Sequence, residues 1–257
     1  MLLAVNVGNT NTGLGVFDGA ELRWHWRIST QPDRTPDELA VVLAGLLESA
    51  DLSFSTKITG VVISSVVPSA TTALREMVTT YFNFPPVVVE PGVRTGVPIL
   101  TDNPREVGSD RIVNALAAYE RYGGPCVVVD FGTATTFDVV SAKGEFLGGV
   151  IAPGVQTSNA ALARSTARLP QVELAAPPAA LGKNTVEAIQ SALVFGTAAQ
   201  VDGIVGRLRA ELGVPATTVA TGGLAELIAP HATSIDRVDP GLTLEGLRLV
   251  FERNADG

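Results

Sequence analysis

The chain has 257 residues, 46% hydrophobic and 17% charged, a composition that builds a core and excludes a disordered chain. Its 26 acidic residues outnumber 18 basic ones, giving a formal net charge of −8, so the basic field of a non-specific nucleic-acid binder is missing. The lone Cys126 rules out an intramolecular disulfide and a cysteine-based zinc site, and the isolated His25 and His231 rule out a histidine-rich metal site within the chain.

The opening MLLAVNVGNT has no basic segment and soon turns polar, so it does not read as a secretory signal. No apolar run approaches the ~20 residues of a membrane span, and the expected location is the cytoplasm, with no membrane or nucleic-acid partner. Residues 3–12, LAVNVGNTNT, predict a strand entering a polar turn. A second strand, an Asp18-Gly19 turn and a third strand follow, the last with Trp24 and Trp26 on one face and His25 on the other.

Thr35-Pro36-Asp37-Glu38 is a capping box with proline at the first helical position, predicting a helix to about residue 50. A strand over 58–67, a helix from Pro68 to about Phe82 and the strand PVVVE come next. Beyond a Gly/Pro-rich loop at 91–104, apolar Ile112, Leu116 and Tyr119 mark another helix.

At 127–136 the chain repeats itself: VVVDFGTATT aligns without gaps on LAVNVGNTNT. The alignment places Val129 on Val5, Asp130 on Asn6, Gly132 on Gly8 and Thr136 on Thr12, and a hairpin turn at Lys143-Gly144 again follows. Asn184-Thr185-Val186-Glu187 caps the longest helix, which is expected to reach about Leu212. A strand at 216–220, a Gly222-Gly223 turn, a short helix and a final helix over roughly 242–253 complete the chain.

Strands alternating with helices predict an α/β fold with largely parallel central pairing. The repeat predicts two similar subdomains, 1–118 and 119–257, packed around a central cleft where a small ligand would sit. Gly8-Asn9-Thr10-Asn11-Thr12 is a turn of small, hydroxyl- and amide-bearing residues suited to an anion such as a phosphate, or to an ordinary polar hairpin. Its copy at Gly132-Thr133-Ala134-Thr135-Thr136 favours the phosphate, because two facing turns grip a polyphosphate from both sides. Asp130, leaving an apolar strand, reads either as a cation ligand or as a strand-end residue bonded to the following loop. Asp110 and Arg111 stand near a helix start and read either as a helix N-terminal acid beside an exposed arginine, the commoner case, or as an arginine that clamps a carboxylate and an aspartate that takes a proton from a hydroxyl.

Taken together these segments resemble the type III pantothenate kinases of the actin-like/sugar-kinase superfamily. The resemblance spans essentially the whole chain. It rests on VGNTNT, GVRTG at 92–96, DNPREVGSDRIVNA at 102–115, VVVDFGTATTFDVV at 127–140, GGVIAPG at 148–154 and GKNTVEAIQSA at 182–192. It implies duplicated ribonuclease-H-like domains, transfer of a phosphoryl group from ATP to pantothenate, a homodimer with a shared active site, and a need for Mg²⁺ and a monovalent cation (K⁺ or NH₄⁺). By that resemblance Asn6, Val7, Gly8, Asn9, Thr10, Asn11, Thr12 and Gly13, with Thr133, bind ATP, and Asp130 binds the monovalent cation. Gly108, Ser109, Asp110 and Arg111 line the pantothenate site with Asp110 as the general base, and Thr185 contacts pantothenate from the partner subunit.

Two positions depart from the family pattern. Asn6 stands where the family has aspartate, which raises the alternative of a catalytically weakened, ligand-sensing relative. Thr101 stands where many relatives have tyrosine near the substrate.

Overall fold

The computed structural model describes residues 1–54 and 57–255. These residues form two compact units, one of Met1–Gly96, Asn103–Ala117 and Thr243–Gly257, the other of Val97–Asp102 and Ala118–Leu242.

The first unit starts with a meander of β1 (Leu2–Val7), β2 (Asn11–Asp18) and β3 (Glu21–Ser29). Gly60–Ser65 (β4) then pairs parallel to β1, and Val87–Val88 (β5) parallel to β4, giving the order β3-β2-β1-β4-β5. On β3 the exposure alternates residue by residue, with Trp24 and Trp26 against the core and His25 outside, as the period-two pattern predicts.

Two helices cover one face of this sheet. Pro36–Glu48 (α1) begins with the expected capping box: the Thr35 side chain accepts from the Glu38 amide, and the Thr35 amide donates back to the Glu38 carboxylate at 2.8 Å. Pro68–Phe82 (α2) ends at Asn83 in the left-handed conformation. Leu43 and Leu47 of α1 and Leu74, Met77 and Val78 of α2 pack on Leu3, Val5, Val61 and Ile63, all nearly or fully buried. Each such side chain contributes roughly 1.5–3 kcal/mol by leaving water.

The other face receives the C-terminal helix, Leu242–Asn254 (α8). Gly15 and Gly60 make room for it, because a methyl group at Gly15 would meet Leu244 and one at Gly60 would meet the ring of Phe251. Ser109–Tyr122 (α3) lies beside α8, with the backbone of Val113 so close to Gly246 that no side chain fits there.

The second unit has the same strand arrangement. Cys126–Phe131 (β6), Ala134–Val140 (β7) and Phe146–Pro153 (β8) form the meander, Thr217–Thr221 (β9) pairs parallel to β6, and Arg237–Val238 (β10) parallel to β9. The helix capped by Asn184 runs from Thr185 to Leu212, but not uniformly. It consists of Thr185–Ser191 (α5), a widened π-type turn at Ala192–Gly196, and Thr197–Leu212 (α6). At 28 residues it is long and apolar enough to cross a membrane. Its Ile189, Leu193, Val194, Ala198, Val201 and Val205 pack instead into the core of this unit against Val127 and Val129.

A helix that the residue pattern does not announce, Val155–Ser165 (α4), follows β8. Its N-cap is Gly154, which has no side chain to accept the first amides, so the usual start signal is missing. The extended segment 166–184 then leads to α5. Asn159 of α4 anchors it by accepting from the Val172 amide at 3.2 Å and donating to the Val172 carbonyl at 2.7 Å.

The strand registers correct the gap-free repeat. Val7 pairs with Thr12, whereas Phe131 pairs with Thr135, so the second turn is one residue shorter. Asp130 matches Asn6, but Thr135, not Thr136, is the counterpart of Thr12. Both are buried, Thr12 bonded to Thr30 at 2.9 Å and Thr135 with its hydroxyl unpartnered among the described residues.

Candidate active site

In the first unit, three chain segments meet at the carboxyl ends of the parallel strands β1 and β4. The turn after β1 is closed by the Gly8 amide donating to the Asn11 carbonyl at 3.0 Å, and Thr30 braces it by donating its hydroxyl to the Gly8 carbonyl at 2.7 Å. Asn9, Thr10 and Asn11 are exposed at its tip, and Gly13 sits opposite Asn6 on β2. Directly beside this turn, the Val66 amide at the end of β4 donates to the Val7 carbonyl at 3.1 Å.

Asn6 faces Ser64 in the β1–β4 register. Its Oδ1 is buried and has no hydrogen-bond partner among the described residues. Leaving a buried amide oxygen unpaired costs roughly 1–3 kcal/mol, which marks the position as one that awaits a donor.

The third segment is the start of α3. Ser109 Oγ lies 2.8 Å from the Oγ of fully buried Ser64 and 3.3 Å from the Ser65 carbonyl. Asp110 follows, its Oδ1 accepting from the Arg111 amide at 2.9 Å. A methyl group on Gly108 would stand 2.6 Å from Asp110 Oδ1, so a side chain there would push on the Asp110 carboxylate. Burial raises the Asp110 pKa above the usual aspartate value, opposed by the Arg111 amide bond and the charge of Arg111. A carboxylate with raised basicity at a partly buried helix start has the properties of a general base.

In the second unit the turn after β6 is held from beneath. The Thr133 carbonyl accepts from the Gly154 amide at 3.2 Å and from the Thr157 hydroxyl at 2.7 Å, so the first turn of α4 fastens Thr133. A methyl group at Gly154 would come within 2.6 Å of the Gly132 carbonyl, which explains the glycine. Asp130, the next-to-last residue of β6, stands in register with Thr221 of β9 and Thr136 of β7. Thr221 is 1% exposed and its hydroxyl has no partner among the described residues. Gly222, at φ +90°, lies against the Asp130 carboxylate.

Thr185 is exposed at the first position of α5, behind Asn184, whose side chain accepts from the Glu187 amide at 2.9 Å. The residue reading missed Ser64, Thr157 and Thr221. Each is an isolated hydroxyl in a strand or helix, and only pairing across the chain brings it to the turn of its own unit.

Oxygen donors, not soft ligands, line the turn of each unit. No group of three or more His, Cys, Asp or Glu is placed to hold a metal among the described residues. The unpartnered Asn6 Oδ1 suits a water of a hydrated Mg²⁺ ion, which commonly keeps its waters and leans on substrate phosphates. Asp130 with the free hydroxyl of Thr221 in register suits a hard monovalent cation.

Comparison with known proteins places this geometry. A sequence profile for type III pantothenate kinase matches residues 2–207. The type III pantothenate kinase of Anaeromyxobacter sp. strain K is 58% identical over 254 residues, covering 99% of this chain and 100% of that one. Among solved structures, a Baf family protein of Campylobacter jejuni aligns over 99% of this chain and 100% of its own with a TM-score of 0.59 at 22% identity. The ROK hexokinase of Thermus thermophilus aligns over 100% and 99% with a TM-score of 0.52 at 15% identity. The matching strand orders and these likenesses show an α/β fold of duplicated, ribonuclease-H-like domains, as in the actin-like sugar kinases. By the profile match and by full-length identity, the chain belongs to the type III pantothenate kinase family.

Proposed function

We propose that the chain transfers the γ-phosphoryl group of ATP to the primary hydroxyl of pantothenate, giving 4'-phosphopantothenate and ADP, the first step of coenzyme A synthesis. Family membership makes it a phosphotransferase. The observation that carries the residue roles is the meeting of the β1 turn, the end of β4 and the start of α3 at the carboxyl ends of β1 and β4. Ligands of open α/β sheets bind at the carboxyl ends of the strands.

In this reading the segment Asn6–Gly13 holds the ATP phosphates through its amides and hydroxyls, and Thr133 touches the nucleotide. Arg111 holds the pantothenate carboxylate, with Gly108 and Ser109 beside it and Thr185 contributed by the partner subunit of a homodimer. Asp110 accepts the hydroxyl proton as the alcohol oxygen bonds to the γ-phosphorus and the bond to the ADP oxygen breaks. Such a reaction asks for positioning and charge neutralisation more than covalent chemistry. Bound Mg²⁺ supplies charge neutralisation at the phosphates, and K⁺ or NH₄⁺ would be held by Asp130. The protein is placed in the cytoplasm, where ATP is found.

ADP release, coupled to NADH oxidation and started by adding pantothenate in the presence of Mg²⁺ and K⁺, tests the proposal. Turnover that depends on pantothenate supports it, and ADP release indifferent to pantothenate overturns it. The ligand-sensing alternative rests on Asn6 alone, and near-full-length identity to named kinases does not favour it.

A further inference from the structure

We infer that Ser64 is a positioning residue for the general base, tying the strand edge that carries the phosphate turn to the helix that carries Asp110. Ser64 is 0% exposed in the middle of an apolar strand, GVVISS, where a hydroxyl is costly unless it bonds. Its hydroxyl is bonded to that of Ser109, 2.8 Å away and 45 residues later. Ser109 in turn donates to the Ser65 carbonyl at 3.3 Å, leaving its lone pairs for the Ser64 hydroxyl. The first residue of α3 is therefore fastened to β4 twice, immediately before Asp110.

The same strand edge is fastened to the phosphate turn. Val66 donates to Val7, and Ser64 stands in register with Asn6. One rigid edge thus sets where the base stands relative to the turn after β1. A misplacement of about 1 Å costs on the order of 10²-fold in a reaction that runs on alignment. An ordinary core residue at position 64 would fill the space without directing α3.

This inference rests on the assignment of Asp110 as base, and the experiment separates the two. Ser64→Ala, Ser109→Ala, the double variant, Ser64→Thr and Asp110→Asn are compared with the unaltered protein for kcat, for KM of ATP and for Tm. Ser64→Ala should lower kcat about 10–100-fold with the KM of ATP within about twofold. Ser64→Thr, which keeps the hydroxyl, should recover most of that loss. The double variant should be no slower than the slower single variant, since both break one link.

A kcat within about twofold of the unaltered protein in Ser64→Ala, while Asp110→Asn is inactive, overturns the role of Ser64 and leaves the base in place. Losses that multiply in the double variant and follow Tm also overturn it, as a packing role would give that result. Wild-type turnover in Asp110→Asn overturns both assignments. Should Ser64→Ala fail to fold, Ser109→Ala at the half-buried end of the same link carries the comparison, and an undiminished kcat there overturns the inference.

Discussion

The carboxylate of Asp130 rests against the bare α-carbon of Gly222, which stands at φ +90° where side chains rarely fit. A methyl group at Gly222 would overlap Asp130 Oδ1 and come within 2.7 Å of the Phe131 amide nitrogen. Gly222→Ala should therefore displace Asp130 and loosen the end of β6. On the proposed assignment of K⁺ to Asp130, activation by K⁺ should shift to at least about tenfold higher concentration, a change of about 1.4 kcal/mol. A K⁺ titration of turnover measures it, and an unchanged half-saturation removes Asp130 from the cation site.

Asp110 is held in a state that costs the fold stability. Burial raises its pKa, so the ionised carboxyl is accommodated less easily in the folded chain than in the unfolded one. The folded form binds its proton more tightly, so this cost is present above the folded pKa and fades as pH falls through the folded and then the unfolded value. Asp110→Asn should accordingly abolish turnover while raising Tm at pH 7, by about 2–4 °C for each kcal/mol relieved. Scanning calorimetry at pH 7 decides, and a lower Tm contradicts the burial cost.

With Asp110 as the proposed base, the same raised pKa should set the acid limit of the reaction. A base must be unprotonated, so kcat should fall on acidification at a higher pH than an ordinary aspartate near 3.9 would allow. A pH profile of kcat, taken with stability controls, should show the limb above that value.

Asn6 leaves a buried amide oxygen without a donor among the described residues at the base of the turn after β1. Asn6→Asp should put a charge there that is costly alone and favourable beside Mg²⁺ and phosphates. The variant should melt lower than the parent without ligands and gain more from Mg·ATP, with kcat raised by about tenfold or more. Thermal shift with and without Mg·ATP checks the first effect, and an equal shift in both proteins argues that Asn6 does not face the metal.

Cys126 lies fully buried in β6, and burial pushes its thiol pKa up to about 12. Thiolate is the reactive form, so the folded protein should resist iodoacetamide at pH 8 and react stoichiometrically only after denaturation. Mass spectrometry of both samples reads the result directly.

Much of this protein was written in short stretches of sequence. The capping box at Thr35, the run Pro68–Phe82, the Asn184 cap and the repeated strand–turn units each act over a few residues, and neighbouring side chains suffice to set them. The candidate residues Asn6, Asp110 and Asp130 were readable for the same reason, because each sits in a compact motif. Tertiary structure decided what contiguous residues do not encode. It shortened the second turn by one residue, since register follows the pairing of β6 with β7 and not the similarity of letters. It raised α4 from a segment whose glycine cap carries no side-chain signal, and it joined Ser64 to Ser109 and Thr221 to Asp130. Those partners lie 45 and 91 positions apart, and only burying apolar faces in a parallel sheet brings such distant polar groups to one edge.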